Sequence, residues 1–224
     1  MKSLSFVSCT MGRKEDTVLF RSLTKLGTEN YRFYEQNRTG LSTCYNQILN
    51  ERAGRNEIVV FLHDDVTVGD LFIHEKLHDA TTSLGFAIVG LAGTSSFNLQ
   101  LDKPVTMWLQ PPQQNLSGAV EHSAGGGACQ MSAYGPTPRR CVVMDGLFLA
   151  VDLSQIGGVR FDEQFEFHFY DLDFCLTAHR AGLVLGTTNV YVNHQSGGSY
   201  NTPAFQATQE KFRAKWRALL ATPT

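Results

Sequence analysis

Three groups of side chains in this sequence are suited to chemistry: His63-Asp64-Asp65, Tyr170-Asp171-Leu172-Asp173 and His194. The first follows Ile58-Val59-Val60-Phe61-Leu62, an apolar run rich in β-favouring residues. Such a run predicts a buried strand that delivers carboxylates to its C-terminal end, where open α/β sheets bind ligands. Adjacent carboxylates repel each other, and desolvating both is costly. A divalent cation removes that penalty, and hard oxygen ligands suit Mg²⁺ or Mn²⁺. Taken alone, the segment fits a solvated loop after a strand equally well. The second half of the chain tips the balance, because another acidic group opens a helix after an aromatic loop and His194 closes a late apolar strand.

The elements that must position these groups follow from spacing. Strands are expected over residues 4–8, 31–34 and 58–62, with helices over 16–26 and 41–52 between them. This β-α-β-α-β order predicts an α/β fold with a mostly parallel central sheet flanked by helices and right-handed crossovers. A helix over 72–84 and a strand over 86–92 come next. Residues 93–140 are rich in Gly, Ser, Pro and Gln and are expected to be irregular, with short strands at 105–109 and 129–133. Gly125-Gly126-Gly127 lies there, lacks the Lys and Ser/Thr of a phosphate loop, and is expected to act as a hinge. Beyond it, strands are expected at 141–144, 147–151, 183–185 and 190–192, and helices at 171–181 and 203–220.

Composition bounds the answer. A chain of 224 residues with 42% hydrophobic and 18% charged residues is expected to form one soluble domain over 1–224. A net charge of −2 argues against a broad nucleic-acid footprint, which Lys and Arg normally lead. The N-terminus shows no signal-peptide core, and no window is long enough to span a bilayer. Five scattered cysteines without a CxxC predict neither a disulfide framework nor a zinc site, and a cytoplasmic location is expected.

The order and spacing of the second-half segments carry a resemblance. They are Val143-Met144-Asp145-Gly146-Leu147-Phe148-Leu149-Ala150, then Phe161-Asp162-Glu163-Gln164-Phe165, then Phe167-His168-Phe169-Tyr170-Asp171-Leu172-Asp173, then Val192-Asn193-His194. With the strand before His63-Asp64-Asp65, this series resembles the GT-A glycosyltransferases, especially family 2-like members, over nearly the whole chain. The resemblance implies a Rossmann-like GT-A domain, with a nucleotide-sugar-binding half over 1–92 and an acceptor-side half over 93–224. It places His63-Asp64-Asp65 on the family's DxD motif, with His63 at its first acidic position. Metal binding then falls to Asp65 with His194, and Asp64 and His63 face the donor. It makes Asp171 the general base of an ED-type motif in which Tyr170 replaces Glu. Thr10, Asn37, Tyr45 and Asn46 match positions near the nucleotide, and Asp145-Gly146 matches an acceptor- or sugar-side aspartate. Asp173 is expected to support the start of its helix. Trp108 could stack on a sugar or anchor packing.

The implied activity is metal-dependent transfer, with inversion, of a hexose or pentose from a nucleotide-diphosphate sugar to an acceptor hydroxyl. A UDP-sugar donor, Mn²⁺ or Mg²⁺ and a glycan or other hydroxyl acceptor are expected, and a nucleic-acid acceptor stays within the fold's range. Two other classes compete: a metal-dependent phosphohydrolase built on His63, Asp64, Asp171 and His194, and a non-catalytic nucleotide-sugar binding module. Intact Asp65, Asp171 and His194 argue against the latter. His74 and His78 share one helix face at zinc-ligand spacing but have no HExxH glutamate, so a solvated face is expected. His122 is placed near the acceptor.

Overall fold

The first 62 residues alternate strand and helix at the predicted spacing. In the computed structural model, which describes residues 1–99, 104–108, 112–124, 128–196 and 202–220, β1 (Ser3–Cys9), α1 (Val18–Lys25), β2 (Tyr31–Tyr34), α2 (Leu41–Glu51) and β3 (Glu57–Leu62) follow in turn. The first helix begins one residue after Thr17, whose hydroxyl accepts from the Phe20 N–H at 3.1 Å and so satisfies one unpaired first-turn donor. Its apolar face buries Leu19 and Leu23. β1 pairs in parallel with both β2 and β3. β3 is buried at all six positions, as a central strand covered on both faces must be.

The chain continues through β4 (Val66–Val68), α3 (Ile73–Thr82), β5 (Ile88–Gly90) and β6 (Ala92–Thr94). The single strand expected at 86–92 is thus two short strands, and they belong to different sheets. The 93–140 segment holds a long antiparallel hairpin of β7 (Leu116–Ala124) and β8 (Ala128–Gly135); β8 contains the short strand expected at 129–133, whereas β7 falls in chain expected to be irregular. β8 is mostly exposed, so little apolar alternation marks its full length in sequence. Residues 104–108 form no strand. Leu109 of the strand expected there, and the Gly125–Gly127 hinge, lie outside the described residues. β9 (Arg139–Cys141) and β10 (Val143–Met144) replace the one strand expected at 141–144. Then come β11 (Phe148–Asp152), α4 (Tyr170–Arg180), β12 (Leu185–Thr187), β13 (Val192–His194) and α5 (Pro203–Leu220).

The larger sheet has the order β2-β1-β3-β11-β5-β12-β9. It is mixed, because β11 runs antiparallel between β3 and β5. A second sheet has the order β10-β6-β7-β13-β4, with β8 on the far side of β7. Two antiparallel pairings decide where the chemistry meets. Phe148 at the start of β11 pairs with Leu62 at the end of β3, so residues 145–147 lie beside residues 63–65. His194 at the end of β13 pairs with Val66 at the start of β4, which brings its imidazole to Asp65.

α5 closes the structure over α4. Phe205, Phe212 and Trp216 are buried in the core. Asp173 is fully buried, and its carboxylate accepts from Lys215 Nζ at 2.9 Å and from Trp216 Nε1 at 2.8 Å. Its side chain therefore ties two helices together instead of supporting its own helix start, which corrects the expectation from position alone. Replacing Asp173 by Ala leaves the buried Trp216 indole N–H without its partner and leaves the Lys215 ammonium with Asp162 alone, at 2.7 Å. A loss of about 2 kcal/mol in unfolding free energy is expected, measurable by urea denaturation. Among the described residues, no helix is long and apolar enough to cross a membrane.

Candidate active site

A cleft of about 730 Å³ opens where the two sheets meet, lined by Asp64, Asp65, Trp108, Asp145, Tyr170, Asp171 and His194 among others. At one side, His63, Asp65 and His194 each offer a ligand atom, and these atoms all lie within 4.8 Å of one another. The backbone holds them there. The His63 N–H donates to the Leu147 carbonyl at 3.1 Å, and the Gln195 N–H donates to the Asp65 carbonyl at 3.0 Å. Asp65 Oδ1 stands 3.3 Å from His194 Nε2. Asp65 Oδ1 and His194 Nδ1 are nonetheless buried without a hydrogen-bond partner. Buried polar atoms are normally satisfied, and a carboxylate oxygen facing two imidazoles fits a cation. Burial alone would raise the Asp65 carboxyl, but the contacts with His194 and His63 outweigh it and hold it at about 2. Burial depresses His63 more than its neighbouring carboxylates raise it.

Tyr170 and Asp171 form the next part of the wall. Phe169 precedes them in a left-handed conformation, φ 66°, which is strained for a non-glycine residue. Packing of its ring on Phe205 and Phe212, at 4.9 and 5.2 Å between centroids, holds it there. The turn aims the following side chains at Gly146. The Tyr170 hydroxyl donates to the Gly146 carbonyl at 2.8 Å, and the Gly146 N–H donates to Asp171 Oδ2 at 2.9 Å. A Cβ at Gly146 would collide with the Tyr170 hydroxyl and lie 2.8 Å from Asp171 Cβ, so only glycine admits this approach. Burial, reinforced by the Asp145 carboxylate, pushes Asp171 up to about 7.

The structure brings most of the sequence-predicted residues into this one cleft and leaves others outside it. His63, Asp64, Asp65, Tyr45, Trp108, Asp145, Tyr170, Asp171 and His194 line it. Tyr45 does so while packed against Phe61 at 4.4 Å. At the end of β1, Cys9 faces the cleft, whereas the Thr10 hydroxyl accepts from the Gly12 N–H at 3.3 Å. Asn37 uses both ends of its amide in a turn with Thr39. Asn46 is buried and exchanges hydrogen bonds with Phe161 at 2.9 Å in both directions, which ties α2 to the aromatic segment of the second half. Arg13 lies at the surface beside Asp16. His74 Nε2 meets the Lys2 carbonyl at 2.6 Å, a structural contact outside the metal-ligating group.

The hairpin adds residues that sequence reasoning missed. Gln130, Ser132 and Tyr134 face the cleft from β8, and their spacing of two is the signal that could have found them. Tyr134 packs on Trp108 at 4.3 Å, and His122 from β7 lies 5.6 Å from His194 between ring centroids.

The fold and cleft place the chain among α/β domains of GT-A-like architecture. Its structural neighbours include the glycosyltransferase GalNAc-T7, solved with UDP, GalNAc and Mn²⁺, at a TM-score of 0.54 and 12% identity over 100% of this chain and 52% of that one. They also include S. aureus TarS, at a TM-score of 0.56 and 11% identity over 99% of this chain and 40% of TarS. The 1–349 portion of TarS aligns at a TM-score of 0.53 and 12% identity over 95% of this chain and 64% of that portion. The chain thus spans from two fifths to under two thirds of these neighbours' lengths. No family model matches it, and no curated protein matches it in sequence.

Proposed function

We propose that this chain is a divalent-metal-dependent glycosyltransferase that moves a sugar from a nucleotide-diphosphate donor to an acceptor hydroxyl with inversion. One observation carries the reading. A His63–Asp65–His194 ligand group and a carboxylate raised to about 7, Asp171, face the same cleft on a GT-A-like fold. Inverting transfer needs those two functions on opposite sides of the reacting sugar. The donor half is residues 1–92, with Asp64 and Tyr45 beside the nucleotide. The acceptor half is residues 93–224, with Trp108, Asp145, Gly146 and the inner face of β8 along the acceptor.

The protein's own groups have distinct tasks in this reading. Asp171 takes the proton of the acceptor hydroxyl as its oxygen bonds to the anomeric carbon and the bond to the diphosphate oxygen breaks. Burial, and then repulsion by the Asp145 carboxylate, keeps Asp171 basic. His63, Asp65 and His194 would hold the cation, and two imidazoles with one carboxylate suit Mn²⁺ better than Mg²⁺, which prefers all-oxygen surroundings. When bound, that ion would stabilise charge on the departing diphosphate. Trp108 and Tyr134 offer an apolar aromatic wall, and Gln130 and Ser132 offer amide and hydroxyl groups, a combination suited to a glycan.

The first test is thermal shift against UDP, GDP, CDP and dTDP with and without Mn²⁺. UDP leads because GalNAc-T7 was solved with it. A ligand that binds only the folded state raises the midpoint by mass action. A shift for one nucleotide that requires Mn²⁺ supports the reading, and no shift for any nucleotide overturns it. The rate should also depend on pH. Asp171 acts only when ionised, so kcat/KM should fall about tenfold per unit as pH drops below about 7. A profile flat from about pH 5 to 8 would remove Asp171 as the base.

A further inference from the structure

Tyr170 stands where the resemblance leads one to expect a glutamate, and its hydroxyl has two close neighbours. One is the Gly146 carbonyl at 2.8 Å and the other is His63 Nε2 at 3.0 Å. Proton counting decides both bonds. A carbonyl oxygen can only accept, so the single phenolic proton goes to Gly146. The Tyr170 oxygen can then only accept from His63, so His63 Nε2 must carry a hydrogen. In a neutral imidazole with Nε2–H, the lone pair is on Nδ1. We propose that Tyr170 is a positioning residue that locks His63 in the Nε2–H tautomer. The Nδ1 lone pair is then left for the group shared with Asp65 and His194. Only the metal part of this inference rests on the function proposed above.

The same contact reaches the other side of the cleft. Tyr170 and Asp171 are consecutive, and they grip opposite ends of residue 146: the tyrosine at its carbonyl, the aspartate at its N–H. The glycine has no room for a side chain, because a Cβ would run into the tyrosine ring and Asp171 Cβ. Gly146 is therefore a fixed link between the ring of His63 and the carboxylate of Asp171. A glutamate at 170 would have to be protonated to make the bond to the carbonyl. A tyrosine supplies the O–H at every physiological pH. Outer partners that set the tautomer of a ligating histidine commonly govern metal affinity by about 10- to 100-fold.

The experiment is long-range proton–nitrogen NMR on metal-free protein labelled with ¹⁵N-histidine, with the His63 signals assigned by their loss in His63→Gln. It is combined with Mn²⁺ titration followed by electron paramagnetic resonance. The wild type should show a pyrrole-type Nε2 and a pyridine-type Nδ1 for His63. Tyr170→Phe should mix the two tautomers and weaken Mn²⁺ binding by about 10- to 100-fold. An Nδ1–H or doubly protonated ring in the wild type overturns the assignment. So does a Tyr170→Phe protein that keeps either the wild-type tautomer or the wild-type Mn²⁺ affinity. If Tyr170→Phe does not fold, the wild-type spectrum decides by itself. A wild-type protein with the Nε2–H spectrum that binds no Mn²⁺ supports the tautomer and overturns the metal reading, so the two failures are distinct.

Discussion

Asp171→Asn is expected to lower kcat by about 10²- to 10⁴-fold, the usual contribution of a positioned general base, while metal-dependent donor affinity stays nearly unchanged. The substitution suits the site, because an asparagine can present its carbonyl oxygen to the Gly146 N–H that Asp171 Oδ2 accepts at 2.9 Å. Geometry is thus kept while basicity is lost. The metal-ligating group comprises His63, Asp65 and His194, which come from other elements, so it is not disturbed directly. The substitution also relieves the burial of a charged carboxylate and the repulsion by Asp145, which together raise Asp171 to about 7. Stability is therefore expected to hold or rise slightly, and lost activity cannot then be ascribed to unfolding. Rate measurements with saturating donor, alongside calorimetry of donor binding in Mn²⁺, check both halves. Equal loss of binding and rate would place Asp171 in donor binding instead.

Asp65→Ala and His194→Ala are each expected to weaken Mn²⁺ binding by more than about 100-fold, beyond the loss typical of an outer partner of a metal ligand. Donor affinity in Mn²⁺ should fall with it. The two residues sit side by side because Gln195 N–H donates to the Asp65 carbonyl at 3.0 Å, a backbone bond that neither substitution removes. Each leaves the other's side chain with one fewer neighbour in a pocket where Asp65 Oδ1 and His194 Nδ1 already lack hydrogen-bond partners. Isothermal titration with Mn²⁺, then with UDP in saturating Mn²⁺, measures both effects. Unchanged Mn²⁺ affinity in both variants would take them out of the metal site and leave Asp171 without its counterpart across the cleft. Donor binding that survives the loss of Mn²⁺ would point to a metal-independent transfer instead.

Local physical chemistry was enough to read much of this protein from its sequence. The alternation over residues 1–62 was visible because each strand is a compact β-favouring run and each helix shows an apolar face ending at a turn or cap residue. The last helix was read with its observed bounds, Pro203–Leu220, because proline starts it and Phe205, Phe212 and Trp216 mark its buried face. His63, Asp65, Asp171 and His194 were singled out by residue type and by position at element ends.

Tertiary structure decided which of these residues meet. The antiparallel insertion of β11 beside β3 sets Gly146 against Tyr170 and Asp171, and nothing in residues 143–152 announces that direction. Strand direction is chosen by the partners on either side. The short strand expected at 129–133 lies within β8, but the strand's full length, its β7 partner and their contribution to the cleft are not legible in sequence, because an exposed strand needs no apolar alternation. The resemblance places Asn46 near the nucleotide, and both ends of its amide bond Phe161, a residue 115 positions away. A side chain's hydrogen-bonding capacity is written in its chemistry. The partner that fills it is settled only when distant segments pack, because burial forces each polar group to find whatever donor or acceptor the fold has brought within reach.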